Sequence, residues 1–283
     1  PAISIKNAIC TGKVSRKTNI VCDELKRLKA RTDHKVKITL PGPYLVTRSM
    51  WLYNLSSKAY GSKEELGEDV IKIYKEEIEE LQKIGVDIIQ FDEPVLTEVV
   101  FTEGKPRTFM CAALSEKKDP TEELKFATHL IKSCMSHIDR TKSIRALHVC
   151  RGNWSKDESI LLEGPYTPLI KLFEDIDTDA LFLEFSTKRA GELKSLFASD
   201  KIRKNYILGL GVINPRTDEI ESHEDMVARA EEALGYIDKE RLFLNPDCGF
   251  ATFANRPVST LEIIDKKLAE LEKAVKELKE KYE

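Results

Sequence analysis

The stretch EELQKIGVDIIQFDEP, residues 79–94, closes an amphipathic helix and opens a strand within a few residues. Gly85 stands where a helix C-cap needs a residue free to take positive φ. Beyond it, VDIIQF (86–91) reads as a short strand buried on both faces, as parallel strands are. The helix before it opens at Ser62, three residues ahead of Glu65, the spacing of a capping box.

The same alternation extends in both directions. ISIKNAI (3–9), KVKITL (35–40), SIRALHVC (143–150), ALFLEF (180–185), YILGLGVI (206–213) and RLFLN (241–245) have the same strand character. Between them lie helices with readable starts, such as Asp119 followed by Pro120 ahead of TEELKFATHLIKSCMSHI. A last helix runs from about Ser259, with Leu268, Leu271, Val275 and Leu278 as an apolar stripe suited to covering a sheet. No linker or composition break interrupts the pattern, so residues 1–283 are expected to form a single α/β domain. Seven strands are one short of the eight of a TIM (β/α)8-type barrel, and the first βα unit is expected to be missing from this chain. An open doubly wound sheet is the other option, but GLGVIN (209–214) has only two glycines, both in the body of a strand, which does not make a dinucleotide loop.

Composition narrows the function classes. A chain of 283 residues with 41% hydrophobic and 33% charged residues can bury a large core. A formal net charge of −3 with both signs interspersed gives no broad basic face for nucleic acid. No stretch reaches the roughly 20 apolar residues of a membrane span. Six scattered cysteines and no signal peptide suggest a reducing cytoplasm with free or metal-bound thiols.

The strand ends carry the chemistry. His148 and Cys150 are two apart at the end of a strand, so they point to one side, into the mouth where barrel active sites lie. The pair alone fits either a metal or a buried thiol beside a hydrogen-bonded histidine. Glu184 sits in the next apolar strand and needs a partner, and Cys248 follows the last strand. Together the four make a tetrahedral set suited to Zn2+. Asp92 and Glu93 end their strand at the same mouth, either to bind substrate or to cap the turn before Pro94. Arg151 and Asn153 flank the metal pair, fit to bind a substrate carboxylate or phosphate or to orient ligands. Trp51 is a candidate for stacking on a flat substrate, with a core or lid role as the alternative.

IQFDEP (89–94), HVC (148–150), LEFS (183–186), GLGVI (209–213) and NPDCG (245–249), in this order, resemble the catalytic barrel of the cobalamin-independent methionine synthase family, in its short, methionine-synthase-like form. The resemblance implies a zinc enzyme that methylates homocysteine to methionine. It implies His148, Cys150, Glu184 and Cys248 as metal ligands and Asp92 as the partner of the substrate amino group. LPGPYLVTRSMW (40–51) matches the family's Gly-Pro loop near the methyl donor. In GVINPRTDEIES (211–222), Asn214 and Arg216 stand where the long synthases carry an Asp and a His that help protonate a folate leaving group. An arginine is a poor proton donor but can stabilise developing negative charge, the catalytic role expected of Arg216. The methyl carrier is then either a folate or a methyl-corrinoid. The rival readings are a barrel decarboxylase of the uroporphyrinogen type, which needs no zinc, and a non-catalytic protein with a structural zinc.

Overall fold

The computed structural model describes residues 7–101, 119–251 and 257–283. The chain divides into two compact units, Pro1–His148 with Lys171–Asp179, and Val149–Ile170 with Ala180–Glu283. The first contains α1 (Cys22–Lys29), β1 (Lys37–Pro41), α2 (Pro43–Met50), α3 (Tyr53–Ser56), α4 (Lys63–Ile84), β2 (Ile88–Asp92), α5 (Val95–Phe101) and α6 (Pro120–Met135). It also holds most of β3 (Ile144–Val149) and of α7 (Ile170–Asp175). The second contains β4 (Ala180–Leu183), α8 (Leu193–Leu196), α9 (Asp200–Asn205), β5 (Ile207–Ile213), α10 (His223–Leu234), β6 (Leu242–Pro246) and α11 (Leu261–Tyr282).

The strands within each unit pair in parallel and in chain order. β1 aligns Pro41 with Asp92 of β2, and β2 aligns Asp92 with His148 of β3. In the second unit β4 pairs with β5 and β5 with β6, with an irregularity at Gly211–Ile213. Six of the seven expected strands are thus found within a few residues of their expected bounds. The seventh, ISIKNAI, lies partly outside the described residues, and its described part, Asn7–Ile9, is not a strand.

Helix starts follow the expected chemistry. Ser62 Oγ accepts the Glu65 amide at 3.2 Å, while the Glu65 carboxylate reaches back one residue further than a capping box requires, to the Gly61 amide at 2.6 Å. α4 ends at Gly85 with φ 95, and buries Leu66, Val70, Tyr74, Ile78 and Leu81 as one stripe. Asp119 caps α6 by accepting from the Thr121 and Glu122 amides, and Thr260 caps α11. α11 lies against α10 and β6, the covering role expected of it.

At the end of β2, Glu93 is fully buried and fixes the start of α2: Tyr44 N donates to one carboxylate oxygen at 2.7 Å and Leu45 N to the other at 3.0 Å. Burial pushes this carboxyl up to about 8, against the pull of the two amides. Gly42 makes the arrangement possible, because a Cβ there would lie 2.0 Å from the Glu93 carboxyl carbon. Gly42→Ala should cost about 1–3 kcal/mol of stability through this overlap, measurable as a lower urea midpoint; an unchanged midpoint would show that Glu93 is free to move.

Candidate metal centre

β3 delivers two donors by simple alternation. Leu147 and Val149 are fully buried, and His148 and Cys150 leave the strand on its other side. Cys248 comes from the turn after β6. His148, Cys150 and Cys248 each bring a ligand atom within 4.8 Å of the other two. One imidazole and two thiols are the donor types that suit zinc, and their proximity fits a single cation. Without a cation the arrangement disfavours charge: the hydrogen bond with Cys150, then burial, push the Cys248 thiol well above its usual range. A bound dication reverses this by stabilising both thiolates.

The turn carrying Cys248 is tied down on several sides. Asp247 N donates to Ile213 O at 2.9 Å, and the Asp247 carboxylate accepts from the Phe185 amide at 3.1 Å, the Ser186 amide at 3.0 Å and the Ser186 hydroxyl. Gly211 leaves room for this contact, since a Cβ there would meet Asp247 Oδ1 at 2.3 Å. Asn153 Nδ2 donates to Gly249 O at 2.5 Å, holding the far side of the same turn. Burial and the nearby Glu184 raise Asp247 to about 6, and Arg216 opposes them.

Glu184 is not part of the three-residue cluster. Its Oε2 accepts the Arg151 amide at 2.7 Å and Arg151 Nη1 at 3.4 Å. Its Oε1 accepts Arg216 Nη1 at 3.1 Å, with Arg189 Nη2 at 3.5 Å. Arg216 is 1% exposed and also donates to Glu158 and Asp247, each at 3.1 Å. Burial works against its charge, but Glu184 and Asp247 outweigh that and hold it above the ordinary guanidinium range. Arg151 is enclosed too, with its guanidinium over the Tyr166 ring and donating to Gly164 O at 2.8 and 2.6 Å. Both arginines are therefore committed to the protein's own groups.

In the first unit, Gln90 Nε2 donates to Asp92 Oδ1 at 2.7 Å, and Lys37 Nζ donates to Gln90 Oε1 at 2.8 Å. Asp92 is half-buried and lies opposite His148 in the strand register. Trp51 is half-buried at the C-cap of α2. The sequence reading missed Gln90, Lys37, Glu158 and Arg189 as parts of these networks. Only Gln90 left a signal, being two residues before Asp92 on the same strand face.

A family profile described as "Cobalamin-independent synthase, Catalytic domain" matches residues 3–264. The methionine synthase of Thermococcus kodakarensis is 27% identical over 271 residues, covering 93% of this chain and 67% of that protein. A 5-methyltetrahydropteroyltriglutamate–homocysteine methyltransferase of Bacillus licheniformis is 27% identical over 249 residues, and this chain spans only 28% of it. Among solved structures, a B12-independent methionine synthase from Shewanella sp. W3-18-1, in complex with selenomethionine, superimposes with a TM-score of 0.69 at 22% identity, over 95% of this chain and 70% of that one. That likeness gives the fold class, an α/β barrel of the TIM type, and the profile match over most of the sequence shows that this chain belongs to the cobalamin-independent synthase catalytic-domain family.

Proposed function

We propose that this chain is a zinc-dependent methyltransferase that moves a methyl group from a carrier to a thiol, with homocysteine as acceptor and methionine as product. The observation that carries the reading is the convergence of His148, Cys150 and Cys248 within 4.8 Å. Family membership and the names of the curated relatives support it. When bound there, zinc would keep the acceptor sulfur as a thiolate at neutral pH, where a free thiol is mostly protonated.

The chain's own residues bind and orient. Asp92 takes the acceptor's amino group, and Gln90, fixed by Lys37, holds one Asp92 oxygen and so sets the direction of the carboxylate. Arg151 and Asn153 hold the backbone after Cys150 through Gly164 and Gly249. Arg216, with three carboxylates around it, keeps its charge and is not the group that donates a proton to the leaving carrier. Trp51 remains a candidate for contact with the carrier. The relatives' names put a methylated folate first as carrier, with a methyl-corrinoid second. The profile's span supports reading residues 1–283 as one catalytic domain, and the lack of a disulfide among the described residues suits a reducing cytosol.

The test is metal analysis together with a methyl-transfer assay on the purified chain. One zinc per chain and methionine formed from homocysteine with methyltetrahydrofolate or methylcobalamin are expected. A chain that takes up no zinc and transfers no methyl from either donor would sink the reading.

A further inference from the structure

Lys37, Gln90 and Asp92 share one face of the β1–β2 pair. β1 exposes Lys37, Thr39 and Pro41 on that face, and the register sets Thr39 beside Gln90 and Pro41 beside Asp92. Lys37 Nζ donates to Gln90 Oε1 at 2.8 Å, and Gln90 Nε2 donates to Asp92 Oδ1 at 2.7 Å. An ammonium has only donors and a carboxylate only acceptors, whereas a glutamine amide has both, so one amide orientation alone satisfies the two ends. Turned over, the amide would aim its NH2 group at an ammonium and its oxygen at a carboxylate. Lys37 and Asp92 therefore attract one another across a single amide group. Without that group the ammonium would be drawn toward the carboxylate and would offset the charge that a substrate cation needs. Asp92 Oδ2 accepts no hydrogen bond among the described residues and Asp92 is half-buried, so this oxygen is left for a donor from outside the chain.

We propose that Gln90 is a spacer that lets Lys37 fix the turn of the Asp92 carboxylate without neutralising it, and that the two residues thereby make the acceptor site selective for thiols carrying a primary ammonium group. The inference rests on the assignment of Asp92 to the acceptor's amino group and adds the acceptor class that Lys37 and Gln90 select. Both act as positioning residues, through Asp92. A thiol of the same length without the amino group leaves Asp92 Oδ2 unmet, and a site built around a hydrogen bond rejects such an analogue strongly.

The test compares homocysteine with 4-mercaptobutyrate, which keeps the thiol and the carboxylate and lacks the amino group, and reads KM and kcat separately. Gln90→Met should raise KM for homocysteine about tenfold or more, the worth of a directed hydrogen bond to a charged group, and leave kcat within about twofold. KM for 4-mercaptobutyrate should stay within about twofold, so that the preference for the amino-bearing thiol falls by about tenfold. Lys37→Met should act in the same direction, and Lys37→Arg, which still donates to the amide oxygen, should restore most of the preference. Calorimetric binding of L-methionine against 4-(methylthio)butyrate gives the same comparison without turnover. Should Gln90→Met not fold, the two Lys37 variants decide the matter, since Lys37 occupies an exposed position at the start of β1. An unchanged KM for homocysteine in the folded variants, or an equal loss for both thiols, would overturn the inference and leave the proposed function standing. An original chain that methylates neither thiol and binds no L-methionine defeats both.

Discussion

Cys248→Ala is expected to leave the purified chain almost free of zinc. Structural zinc is bound with apparent free energies of about 10–16 kcal/mol, so one of four ligands is worth roughly 3 kcal/mol, more than about 100-fold in affinity. Here the loss should be at least that large, because Cys248 is one of only two thiols in the cluster. The fold should survive, since the cysteine lies in a turn that is anchored by its neighbour Asp247. Metal analysis after dialysis against a weak chelator, together with circular dichroism, separates the two effects. Full zinc occupancy in this variant would mean that the metal sits elsewhere, and a cysteine that only packs would leave both measurements unchanged.

Arg216→Met should have the largest effect on stability. The side chain makes 3.1 Å contacts with Glu158, Glu184 and Asp247, and the last two are almost wholly buried. Removing the cation leaves Asp247 and Glu184 to repel one another, with only Arg151 and the more distant Arg189 to compensate for Glu184. Breaking a buried pair in this way costs about 3–5 kcal/mol, a large part of the roughly 5–15 kcal/mol that holds a domain folded. Arg216→Lys should recover only part of it, because its three N–H groups sit on one nitrogen and cannot span the three carboxylates that Nε, Nη1 and Nη2 reach separately. Urea unfolding gives the answer directly. A midpoint for Arg216→Met equal to that of the original chain would mean that water, and not the guanidinium, satisfies these carboxylates.

The parts of the fold that the sequence makes plain are those decided by local chemistry. Gly85 at the end of α4, Ser62 and Asp119 at helix starts, and the apolar runs of β1 to β6 are each fixed by a few neighbouring residues. The pairing of His148 with Cys150 is local too, since strand alternation alone puts both on one side. Cys248 joins them through position, being just past a strand end. What stays hidden in the sequence is where long side chains go after leaving the backbone. Arg216 follows β5 and looks, in sequence, like a group at the reacting centre, yet it reaches across 32 residues to Glu184 and 31 to Asp247. Glu93 adjoins Asp92, but alternation sends the two carboxylates to opposite sides, one toward Gln90 and the other into the start of α2. That divergence could be read from parity. The partners of Glu184 could not, because nothing in the spacing of residues 151, 189 and 216 marks them as neighbours.

The alternation along β3 ties metal capture to strand alignment. Sliding β3 by one residue would turn Leu147 and Val149 to the side that His148 and Cys150 now take and bury the two donors among apolar side chains, so a strand slipped by one could not present them to an ion. A metal held by these donors would therefore favour, over any one-residue slip, the alignment that also builds the core.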